Sequence, residues 1–131
     1  MLLKVFEWIV SRAQMLGSDV VKGFPSWARP ASSPPVISVQ LLSWEPIPSQ
    51  PRIGQPIPRS TTTFRVTVFA RNEVELCSLV ESAGALWRSE PTAVIDGTRV
   101  LVVVTAGTRH DSVSPVQQEQ YAFWFTIRVS W

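Results

Sequence analysis

Among its 131 residues the chain has a single cysteine, Cys77, and a single histidine, His110. One cysteine cannot close an internal disulfide, so folding needs no oxidising compartment and assembly in a cytosol is expected. One histidine and one cysteine together fall short of the ligands of a standard zinc site. The sequence also lacks a glycine-rich phosphate loop, a His-Glu-x-x-His pair and a Cys-x-x-Cys pair, so the usual marks of nucleotide and metal chemistry are missing and no metal or cofactor is expected. Nowhere do eighteen uncharged apolar residues stand together, and no membrane contact is expected. The apolar stretch over residues 1–16 is interrupted by Lys4, Glu7 and Arg12 and is not followed by a small-residue cleavage site, so it reads as structure rather than as a signal peptide.

Nucleophilic catalysis requires a nucleophile, a base and an orienting group that meet in space. Cys77 stands beside Leu76 and Val80 and is expected to pack as a small hydrophobe on a helix's buried face. His110 lies in a polar Arg-His-Asp loop with no partner in sight. No catalytic residues are assigned, and the chain is expected not to be an enzyme.

What is present is material for one core. An apolar fraction of 45% with 17% charged residues is ordinary for a globular chain and too apolar for wholesale disorder. The length fits one domain over residues 1–131. The net charge is only +2, yet ten of the twelve basic residues are arginines, a choice suited to planar pairing with carboxylates or phosphates.

Residues 2–16 place Leu2, Phe6, Ile9, Ala13 and Leu16 at helical spacing, and Gly17 ends the turn. Residues 18–35 carry Gly23, Pro25, Pro30 and Pro34 and read as a connector. Residues 36–44 have the β-branched content of a strand. Residues 61–71 alternate, with Phe64, Val66, Val68 and Ala70 facing one way and Thr63, Arg65, Thr67 and Phe69 the other. Asn72 with Glu75 three residues on gives a capping box for a helix over 73–87, and Glu73 and Glu75 suit the positive end of its dipole. Asp96-Gly97 predicts a tight hairpin turn. Residues 99–105 (RVLVVVT) read as a central strand buried on both faces, and residues 121–131 alternate as a strand. The expected fold is α+β: a mixed, mainly antiparallel sheet with two helices packed on one face.

Residues 45–60 connect two strands that most simply form a hairpin, and they hold five prolines, at 46, 48, 51, 56 and 58. A connection of this length is expected to project as an extended arm. Its apolar residues Ile47, Ile53 and Ile57 are candidate contacts with a neighbouring subunit. From Arg52 to Arg71 the chain carries Arg52, Arg59, Arg65 and Arg71 and no acid. This run reads either as a solvated sheet face or as a contact surface for an acidic partner or DNA phosphates.

The order of these segments resembles the tail terminator proteins of long-tailed bacteriophages. The resemblance is carried by the N-terminal helix, the proline-led strand at Pro34-Pro35-Val36-Ile37-Ser38-Val39 and the strand over 63–69. An acidic-led helix over 72–87 and closing strands over 99–105 and 121–131 complete it. It implies a structural virion protein of the tail or neck, assembled in the host bacterial cytoplasm. Such a protein forms a ring, hexameric in that family, that caps the tail tube, terminates its polymerisation and joins the head. The implied partners are copies of itself, the tail tube protein and the head–tail connector protein, with DNA only passing through the lumen. The proline-rich arm has no match to a family motif. Other readings are a different neck, connector or tube-like ring protein of a phage or contractile machine, and a small cytosolic binding module using an arginine-bearing sheet face.

Overall fold

Two strands of opposite direction, alternating apolar and polar residues, make the centre of the molecule. In the computed structural model, which describes residues 1–23, 35–46, 59–89, 91–109 and 121–131, these are β3 (Thr61–Ala70) and β6 (Tyr121–Ser130). They pair antiparallel along their whole length, from Thr61 opposite Ser130 to Ala70 opposite Tyr121. Because strand side chains alternate, Phe64, Val66 and Val68 share one face with their partners Ile127, Phe125 and Phe123.

The other elements in chain order are α1 (Leu2–Gln14), β1 (Asp19–Lys22), β2 (Val36–Glu45), α2 (Glu73–Arg88), β4 (Thr92–Ile95) and β5 (Thr98–Arg109). They build a six-stranded sheet in the order β1-β2-β3-β6-β5-β4. All neighbours are antiparallel except β1 and β2, which run parallel. The sheet is therefore mixed and mainly antiparallel, and β2 and β3 pair antiparallel as expected, with Glu45 opposite Thr61 at the last described rung. Of the arm expected over residues 45–60, residues 47–58 lie outside the described residues.

Both helices pack on one face. Val5, Ile9, Val10 and Ala13 of α1 and Ala83 and Trp87 of α2 join Ile37, Val39, Phe64, Val66, Val68, Phe125, Ile127 and Val129 in one buried cluster. Phe6 stacks on Phe64 with ring centroids 5.9 Å apart, which ties α1 to the central strand. Helix α1 touches β1 and β2 at one edge of the sheet and β4 at the other. A single helix reaches both edges only if the sheet curls around it, as its right-handed twist favours.

Three expectations are corrected. Residues 18–35 are not wholly a connector, because Val20 and Val21, bounded by Gly17 and Gly23, form β1 beside β2. It is fastened where Gly23 N–H donates to Val39 O at 2.8 Å and Ser38 Oγ donates to Gly23 O. Strand β5 is buried on one face only: Val100 and Val102 are buried, whereas Leu101 and Val103 are 41% and 57% exposed. Its VLVVV run lies one strand from the edge, and both helices occupy the opposite face. Cys77 is exposed on α2 rather than packed, because Leu76 takes the inward position next to it.

Candidate interaction surface

The face away from the helices divides into two zones. Near the starts of β2 and β6, Val36, Phe69 and Ala122 form a small buried cluster with Val21 packed on it. Ser38 and Thr67 are buried beside them. Toward the other end this face is polar and basic, with Thr63 opposite Arg128, Gln40 opposite Arg65 and Ser130 opposite Thr61, where the two hydroxyls are 3.2 Å apart.

Arg65 sits between the zones. Its guanidinium carbon lies 5.0 Å from the centroid of the Trp124 ring, a cation–π contact that places the charge flat on the sheet. Its Nε is buried without a hydrogen-bond partner. Gly107 of β5 stands under the same indole, and a Cβ there would collide with the Trp124 ring and its carbonyl oxygen. Arg65, Trp124 and Gly107 thus make a layered contact across three strands.

Arg71 is committed elsewhere. Its Nε and Nη2 donate to Glu75 Oε2 at 3.0 and 2.8 Å, and its backbone N–H donates to Glu75 Oε1 at 3.0 Å. Asn72 Oδ1 accepts from Glu75 N at 2.8 Å, so the helix cap is formed. Its reciprocal half differs from the capping-box expectation, since the Glu75 carboxylate reaches the N–H of Arg71 rather than that of Asn72. These side-chain and backbone bonds from Arg71 hold the Glu75 carboxyl below the usual carboxylate range. Glu75 in turn raises the Arg71 guanidinium.

Arg59 is exposed just before Ser60, whose N–H and C=O exchange bonds of 2.9 and 3.0 Å with Trp131. Arg59 and Arg71 therefore flank opposite ends of ten-residue β3, which at about 3.4 Å per residue leaves roughly 30 Å between them. The run of arginines is not one surface. Arg71 is paired, Arg65 is stacked and only Arg59 of the described three stands open; Arg52, Ile47, Ile53 and Ile57 lie outside the described residues, as does His110. Among the described residues no group of three or more His, Cys, Asp or Glu side chains could hold a metal ion. No described helix is long and apolar enough to cross a membrane.

The structure adds residues that sequence reasoning passed over. Arg99 and Arg128 are exposed, and their register places them on the helix-free face with Leu101 and Val103. Val94, opposite Arg99, is 68% exposed on the same face. At the far edge, Leu41, Leu42 and Trp44 of β2 are 42–50% exposed around a register shift between Leu41 and Ser43. Thr62 Oγ1 donates to Ser43 O at 3.1 Å and braces this bulge. A pattern signal existed for Leu101 and Val103, since an apolar run in a sheet with helices on one side must leave every second residue outside. No protein-family model matches the chain, and no curated protein matches its sequence.

Proposed function

We propose that the protein is a structural ring component of a phage tail: it self-associates, caps the end of the tail tube, terminates tail polymerisation and offers the opposite surface to the head connector. One observation carries the self-association. Toward both edges the sheet bears exposed large apolar side chains, Leu41, Leu42 and Trp44 of β2 near one and Val94 of β4 with Leu101 and Val103 of β5 near the other. Single exposed apolar residues are ordinary, whereas groups of them along strand edges suit contacts with other chains. The order of helix, strands, helix and strands supports the choice of a tail terminator among such proteins. The role needs no catalysis: the ring binds the tube protein and the connector, with DNA passing through its lumen without base readout. The hexameric count and the docking of the arm through Ile47, Ile53, Ile57 and Arg52 belong to the same proposal.

Light scattering across concentration and salt tests it. The expected result is a discrete species of six times the 14.6 kDa chain mass, seen as rings by electron microscopy, that halts tube growth when added to polymerising tail tube protein. A chain that stays monomeric at every concentration, and leaves tube length unchanged, overturns the reading.

A further inference from the structure

Among the described residues, β1 and β4 each cover only half of the strand beside them. Strand β1 pairs with Val36–Val39 of β2, and among the described residues nothing pairs with the outer side of β2 from Gln40 to Glu45. Strand β4 pairs with Thr98–Leu101 of β5, and Val102 N–H reaches Pro91 O at 2.8 Å. Among the described residues the outer side of β5 beyond Val102 is likewise without a strand. Since β2, β3, β6 and β5 alternate in direction, the two open stretches lie at opposite ends of the sheet.

Natural sheets blunt open edges with lysines, prolines, inward-pointing charges, short strands or bulges. Of these devices the stretch Gln40–Glu45 has only the bulge, and the stretch from Val103 has a register shift between Ala106 and Arg109 but no lysine or proline before Arg109. The bulge itself leaves Leu42 outside. Unpaired backbone of this kind accepts an added strand.

We infer that the open half of β2 pairs antiparallel with the open half of β5 of a second copy, head to tail, as the subunit contact of the ring. This rests on the self-assembly reading above and specifies its interface. Backbone direction agrees. The Val39 carbonyl and the Val102 N–H both point outward from the sheet, and both residues carry side chains on the helix face. Outward-pointing groups on β5 therefore continue at Val104. Side-chain facing then sets a register in which Trp44 stands opposite the partner's Val104 on the helix face, flanked by Glu45 opposite Val103 and Ser43 opposite Thr105 on the other.

Within one copy Glu45 is level, through Thr61 and Ser130, with Leu101. The register thus needs a displacement of two residues along the strands, about 7 Å. The short strands β1 and β4 then occupy each other's vacant halves like a stepped joint.

Charge agrees as well. Glu45 is the one charged side chain on the open half of β2, and it meets an edge flanked by Arg99 and Arg128 on the same face. Pairing β2 with its own symmetry copy would form a dimer, leave β5 open and lack this complement. The head-to-tail joint covers both edges of every copy and closes into a ring when its rotation allows.

Site-directed cross-linking decides it. In a Cys77→Ser background, chains carrying Ser43→Cys and chains carrying Thr105→Cys, with different tags, are co-produced and treated with a short bismaleimide, after thermal melts confirm native folding. The expected result is a covalent dimer containing both tags, absent when either variant is treated alone. A dimer from Ser43→Cys alone means the self-paired edge and overturns the head-to-tail joint. Rings that form without any 43–105 cross-link overturn this interface and leave the ring reading standing. Monomers without cross-link overturn both.

Discussion

Trp87 carries a conflict in one side chain. It is 2% exposed and among the largest fully enclosed groups, yet its indole Nε1 has no hydrogen-bond partner. An unpaired buried donor costs about 1–3 kcal/mol, whereas paring a large core side chain to a smaller apolar one costs about 1–3 kcal/mol or more. Trp87→Phe removes the orphan donor and part of the ring together, so its unfolding free energy in urea should fall by no more than about 1 kcal/mol. Trp87→Ala, which leaves a cavity, should lose about 3–5 kcal/mol. Equal losses from the two variants would mean that the indole N–H is satisfied in solution. Helical spacing marks Trp87 as buried; the missing partner is a matter of which backbone oxygens come within reach, and no one-dimensional pattern contains that. The same holds for Arg65: its alternation predicts the helix-free face, but the stacking on Trp124 depends on β6 being the neighbour of β3.

At the scale of elements, helix α2 hangs on the junction with β3. Glu75 accepts from Arg71 through side chain and backbone while its own N–H is capped by Asn72. A carboxylate whose folded-state pKa is depressed stabilises the fold above its unfolded value and loses that contribution as pH falls through the folded one. For Glu75 the loss therefore falls at and below the ordinary glutamate range near pH 4, and not near neutrality. Glu75→Gln should lower the melting temperature at pH 7, and the difference between the two proteins should shrink as pH falls below the ordinary glutamate range. A constant difference across this range would show that packing, rather than the charge-assisted cap, is what Glu75 supplies. Asn72 and Glu75 three residues apart are legible because capping is local chemistry. Alternation exposed β3 and β6, and Asp96-Gly97, with φ of 50° and 77°, exposed the β4–β5 turn for the same reason. Four-residue β1 escaped because its evidence is a pairing with β2 residues seventeen positions further on, rather than a pattern of its own. The two-sided burial expected for β5 failed because an apolar run does not say which face the helices choose.

For the whole molecule, a net charge of +2 says little until the arginines are placed. Arg71 is spent on Glu75 at one end of β3. Arg59, Arg99 and Arg128 are exposed, and the register brings Arg128, the β3 entry after Arg59 and the start of β5 to the opposite end of the sheet. On the proposed reading, this end rather than the 52–71 run gathers the exposed described arginines that would face DNA phosphates. Each neutralised phosphate contributes about −0.9 to the slope of log affinity against log salt, so in the unassembled chain, before a neighbour's Glu45 meets Arg99 and Arg128, three arginines give a slope of about −3 on duplex DNA. Arg59→Gln with Arg128→Gln should shallow that slope by about 2, whereas Arg71→Gln should leave it unchanged. A slope that drops with Arg71→Gln and ignores the other two would place the phosphate contacts at the α2 end.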